Sequence, residues 1–108
     1  MTLTSPAIPP RAVFADIAAE CAAQHRRWGE QHHPTGAHIL YRPLTRLLQY
    51  LCDRAQRRGR MTWRHILLEE VCEALAEPRD PAAMRGELVQ SAAVLATMIA
   101  DLDSRTAA

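Results

Sequence analysis

Lysine is absent from this 108-residue chain, and all thirteen basic side chains are arginine. A functional need would not exclude lysine everywhere, so we read the bias as that of a GC-rich, Ala- and Arg-favouring genome. Twelve acidic residues leave a net charge of only +1. The positive field that would draw a chain to nucleic acid or anionic membrane is therefore missing. CxxC pairs are missing too. Cys21, Cys52 and Cys72 are odd in number and stand apart in apolar, helix-like contexts, which suits buried free thiols in a reducing compartment better than a disulfide framework. No stretch is long and apolar enough to span a bilayer, and the first residues lack a signal-peptide core. The expectation is a soluble, cytoplasmic protein with no membrane partner. Gly-rich phosphate loops, nucleophile triads, internal repeats and low-complexity tracts are also absent.

Strand alternation with β-branched enrichment is lacking as well, while 48 % of residues are hydrophobic, so the class expected is all-α. Residues 1–10 (MTLTSPAIPP) carry three prolines and read as a loose leader. A first helix is predicted from Arg11 to Trp28, with Val13, Ile17 and Cys21 in one stripe and Gly29 as its stop. The segment GEQHHPTGAHILYRP reads as a loop. A second helix is expected from about Leu44 to Arg58, its apolar side formed by Leu47, Leu48, Leu51 and Cys52, with Gly59 behind it. Thr62 is the predicted N-cap of a third helix from Trp63 to about Ala76, which Pro78 breaks. Asp80-Pro81 caps and opens a fourth, ending near Ser104. The short connection between the last two helices favours an antiparallel pair at the centre of a four-helix bundle. Residues 11–105 then form one helical domain, with 106–108 as a tail. Such a bundle buries little area alone, and Ala92, Ala93 and Ala96 offer a close-packing surface, so oligomerisation is expected to complete it.

Helical periodicity separates unusual glutamates from ordinary ones. In the stretch ILLEEVCEAL, Glu70 falls inside the apolar arc formed by Ile66, Trp63, Ala74, Leu67, Val71 and Leu75. Glu73 borders that arc, and Glu69 comes next around the helix. On the fourth helix Glu87 lies among Val94, Met98, Leu102, Leu95, Leu88 and Ile99, with Gln90 one step beyond Val94. Burying unpaired charge costs several kcal/mol, so these carboxylates need arginine partners or a hard cation such as Mg²⁺, which favours oxygen ligands. Helical glutamates also serve as solvated faces or i,i+4 partners, and periodicity alone leaves both readings open.

Glu69-Glu70-Val71-Cys72-Glu73 resembles the EExxE signature of the MazG-like, all-α nucleoside triphosphate pyrophosphohydrolases. Glu87-Leu88-Val89-Gln90 stands where that superfamily has ExxD. Arg27-Trp28-Gly29-Glu30-Gln31-His32-His33-Pro34 is similar to the KWGxQxHP segment of its phage-type and actinobacterial members, as are Thr62-Trp63 and the ELVQxAAV run. The similarity extends from about Phe14 to Arg105. It implies a helical homodimer or homotetramer that uses Mg²⁺ (or Mn²⁺) to hydrolyse a nucleoside triphosphate to monophosphate and pyrophosphate. By the same resemblance Glu70, Glu73, Glu87 and Gln90 are metal ligands, and Glu69 binds a further metal or orients the attacking water. Arg27, Trp28 and His33 would contact substrate, Trp28 by stacking on or enclosing the base.

Gln90 departs from the family's aspartate. It offers a neutral oxygen without charge, which weakens Mg²⁺ binding and opens an alternative: a non-catalytic helical module that binds nucleotide or a protein partner through a degenerate site. Arg27 in place of lysine is a smaller change. The histidines His32, His33 and His38 raise a zinc reading, but they lack finger-like spacing. Arg54, Arg57, Arg58 and Arg60 could bind nucleic acid or substrate phosphates, or simply complement a helix C-terminus. The net charge of +1 speaks against nucleic acid.

Overall fold

A computed structural model of the chain describes residues 8–77 and 80–107. Among the described residues there are four helices and no strand: α1 (Arg11–Trp28), α2 (Tyr41–Arg57), α3 (Trp63–Leu75) and α4 (Pro81–Ala107). The all-α expectation holds. Most of the expected leader and the helix-breaking Pro78 lie outside the described residues. The chain divides into two compact units, Met1–His32 with Ala96–Ala108, and His33–Leu95. Helix α4 contributes to both.

In the first unit, α1 has the predicted limits. The Val13 amide donates to the Pro10 carbonyl at 3.0 Å, and the Gly29 amide closes the last turn on His25 at 2.8 Å. Gly29 takes φ +72°, a left-handed conformation that glycine adopts without steric cost. Of the stripe Val13, Ile17 and Cys21, only Val13 is buried. Cys21 is exposed, which corrects the expectation of three buried thiols: the chain covers this stripe only at its first turn. Helix α4 runs past Ser104, so 106 and 107 are helical rather than tail. An Arg105–Asp101 pair at 2.7 Å and the Ser104 hydroxyl donating to the Asp101 carbonyl at 2.6 Å accompany these last turns.

In the second unit, α2 begins at Tyr41, three residues before the predicted Leu44. Pro43 looked like a loop residue, yet a proline in the first helical turn forfeits no hydrogen bond, because the amides there have no intrahelical acceptor. The preceding loop supplies acceptors for the others. Tyr41 donates to the His38 carbonyl and Arg42 to that of Ile39, both at 3.0 Å.

Helix α3 starts as predicted at Thr62, whose side chain accepts from the His65 amide at 3.3 Å while the Thr62 amide donates to His65 Nδ1 at 3.2 Å. This is a capping box with histidine in the reciprocal position. Asp80 Oδ1 accepts from the amides of Ala82 and Ala83 at 3.1 and 3.2 Å and so starts α4. Helices α2 and α3 pack against each other, and both carry small buried side chains, Cys52 and Ala55 on one, Cys72 and Ala74 on the other. The close approach lets the Cys52 thiol donate to the His65 carbonyl at 3.1 Å.

The apolar arcs are only partly covered. Ile66, Trp63, Leu67, Val71 and Leu75 are half-buried, as are Val94, Met98 and Ile99. Leu47, Leu88, Leu95 and Leu102 are exposed, and no large side chain among the described residues is fully buried. Ala96 is buried, whereas Ala92 and Ala93 are exposed.

Candidate metal centre

Capping at Thr62 sets the phase of α3 so that Glu70 and Glu73, one turn apart, leave the same face. The start of α4 at Pro81 brings Glu87 to them in its second turn. Glu70, Glu73 and Glu87 each offer a carboxylate oxygen within 4.8 Å of the others, and each residue is half-buried. At that separation, unit charges repel by roughly 3 kcal/mol per pair in the effective dielectric of a protein surface. Among the described residues no arginine relieves this, since none of the three is ion-paired there.

The consequence appears in protonation. Burial, then the charges of Glu73 and Glu69, hold the Glu70 carboxyl above the ordinary carboxylate range. Burial also raises Glu87, followed by a hydrogen bond to Glu73 and the charges of Glu73, Glu70 and Glu77. One oxygen of Glu70 and one of Glu87 (Oε2 in both) are buried with no hydrogen-bond partner. Buried polar atoms nearly always have one. Two orphaned carboxylate oxygens beside a third carboxylate fit the donor set of a hard divalent cation such as Mg²⁺.

Helix α2 completes the site. Gln49 Nε2 donates to Glu73 Oε1 at 3.2 Å, which orients one of the three carboxylates. Glu73 and Glu87 border a cleft of about 370 Å³ whose other wall carries Arg42, Arg46 and Gln49. Neither guanidinium is ion-paired among the described residues, so the cleft carries two unpaired guanidinium groups along with the carboxylates of Glu73, Glu77 and Glu87. Periodicity held a signal for this wall, because Arg42, Arg46 and Gln49 are spaced as one helical stripe. Nothing in the sequence aligned that stripe with the glutamates.

The remaining predicted residues are placed as follows. Glu69 is half-buried and sits beside Cys52. Burial, a hydrogen bond and charge from Glu69, then Asp53, push that thiol up to about 12. Gln90, one turn beyond Glu87, is exposed. Arg27 stacks its guanidinium over the exposed Trp28 ring at 4.7 Å, a cation–π contact. Both belong to the first unit, while the carboxylates and the exposed His33 belong to the second. Among the described residues, the three glutamates are the one group of acidic, His or Cys side chains with metal-site spacing. His32 meets Glu30 at 3.5 Å instead. Comparison with protein-family models, curated proteins and solved structures returns no match to this chain.

Proposed function

We propose that the chain is a Mg²⁺-dependent nucleoside triphosphate pyrophosphohydrolase, converting a (d)NTP and water to (d)NMP and pyrophosphate. The observation that carries the reading is the convergence of Glu70, Glu73 and Glu87 with two oxygens left unpartnered. The resemblance of EExxE, the ELVQ run and the Arg27–Pro34 segment to MazG-like enzymes supplies the reaction. A bound divalent cation would neutralise triphosphate charge and lower the pKa of the attacking water. Glu70, Glu73 and Glu87 hold that cation, and Gln49 keeps Glu73 in position. Arg42 and Arg46 meet phosphate oxygens from the opposite wall, where guanidinium forks suit phosphate geometry. Glu69 orients water or a further cation, and the resemblance alone gives Arg27, Trp28 and His33 a part in substrate contact. The exposed leucines of α2 and α4 support a homodimer or homotetramer in which they are covered.

Pyrophosphate release from a panel of common NTPs and dNTPs, with Mg²⁺ or Mn²⁺, tests this reading. Release is expected from at least one, and Glu70→Gln or Glu73→Gln should abolish it. Silence across the whole panel would overturn it. The neutral, exposed Gln90 favours a second reading, a non-catalytic nucleotide- or protein-binding module. On that reading millimolar Mg²⁺ leaves thermal stability unchanged.

A further inference from the structure

A second cavity, of about 240 Å³, lies at the α2–α3 corner and is lined by Leu51, Arg54, Ala55, Arg58, Arg60 and His65. It shares no lining residue with the carboxylate cleft. Its geometry follows from how α2 ends. The Arg60 amide donates to the Ala55 carbonyl at 2.8 Å and the Gly59 amide to that of Gln56 at 3.2 Å, which is a Schellman motif. Gly59 takes the left-handed φ of +64° that the motif needs. The chain thereby turns back, and Arg60 joins Arg54 and Arg58 around one hollow.

Complementing the helix C-terminus does not account for so many arginines. Backbone amides already occupy the carbonyls of Arg54, Ala55 and Gln56, Arg58 donating to Arg54 at 3.1 Å besides the two bonds above. None of Arg54, Arg58 and Arg60 makes an ion pair among the described residues. From Asp53 to His65 the chain carries five arginines against one aspartate, a net +4 in a chain of net +1. His65 adds a polar contact. The Thr62 amide and hydroxyl engage its Nδ1 at 3.2 and 2.6 Å, which leaves Nε2 for a ligand.

We propose that this corner binds a small, multiply charged phosphate anion such as pyrophosphate, with Arg54, Arg58 and Arg60 as charge-assisted donors and His65 Nε2 as a further contact. A hollow of this size with three arginines in its lining suits a compact anion. A polymer backbone calls for an extended basic face, which the near-neutral chain lacks.

The test is a titration of the full chain with inorganic pyrophosphate in excess chelator, followed by calorimetry and by NMR of the arginine side chains. Without metal the carboxylate cluster repels the probe, so this measurement stands apart from the proposed hydrolase activity. One saturable site is expected. Arg58→Gln and Arg60→Gln should each weaken it about tenfold, the loss of one charge-assisted bond, with Arg60→Lys intermediate. These arginines are exposed, and an unchanged circular dichroism spectrum shows that the variants fold. Absence of saturable binding at millimolar pyrophosphate, or binding unchanged by both glutamine variants, would overturn the proposal. So would a single-stranded oligonucleotide that binds here with steep salt dependence and is not displaced by pyrophosphate.

Discussion

Replacing Glu87 by glutamine should stabilise the metal-free protein and abolish its response to metal. In the folded chain Glu87 lies within 4.8 Å of both Glu70 and Glu73, so the substitution removes two of three repulsive pairs. Roughly 3 kcal/mol for each pair gives a ceiling of about 6 kcal/mol. Water and salt around half-buried groups, with partial protonation, reduce the expected gain to about 1–3 kcal/mol. The sign depends on pH. Glu70 and Glu87 are raised above their ordinary values by burial and by neighbouring carboxylates. Below the unfolded value both states hold the proton and the penalty vanishes. As pH rises, the unfolded chain releases its protons first, so the metal-free wild type loses stability until the folded values are passed. Thermal denaturation in chelator at about pH 8 should show Glu87→Gln melting at least about 4 °C above wild type. The gap should shrink at about pH 4, near the ordinary carboxylate value. Millimolar Mg²⁺ should raise the wild type, by about 2.7 kcal/mol at a hundredfold excess over Kd, and leave the variant unmoved. A metal-free variant that melts below wild type at about pH 8 would show that the three carboxylates do not repel one another in the folded chain.

Gln49→Leu should lower metal affinity about 10–100-fold, as removal of a ligand's hydrogen-bonding partner typically does, with little change in melting; unchanged Mn²⁺ affinity would contradict the role of its bond to Glu73. Gly59→Ala should destabilise by about 1 kcal/mol in chemical denaturation, because alanine tolerates φ +64° poorly although nothing lies within 4 Å of the added methyl. A thiol reagent on the native protein should modify Cys21 rapidly, while Cys52 reacts only on unfolding, since its thiol is buried and pushed up to about 12. Mass spectrometry of early time points that finds Cys52 labelled first would contradict this assignment.

Legibility varied with how local the determining physics was. The limits of α1 and the starts of α3 and α4 depend on Pro10, Gly29, Thr62 and Asp80-Pro81, which act through neighbouring residues, and each was readable. The start of α2 was not, because Pro43 is compatible with a loop or a first turn, and the choice rests on the His38 and Ile39 carbonyls that precede it. Glu70, Glu73 and Glu87 stood out because a carboxylate inside an apolar arc conflicts with burial whatever the tertiary arrangement. Arg42, Arg46 and Gln49 join the site only because α2 packs on α3 in one register, and helical periodicity carries no information about register. Cys21 and the exposed leucines share a different cause: an apolar stripe shows which face seeks cover, not whether a single chain can provide it.

The proposed role of these carboxylates is hydrolysis between the α- and β-phosphates. The direct measurement is phosphorus NMR of a (d)NTP turned over in heavy-oxygen water with Mg²⁺. (d)NMP and pyrophosphate are expected in equal amounts, with one labelled oxygen in one of these two products and no turnover by Glu73→Gln. Orthophosphate and nucleoside diphosphate as products, or turnover that survives Glu73→Gln, would contradict it.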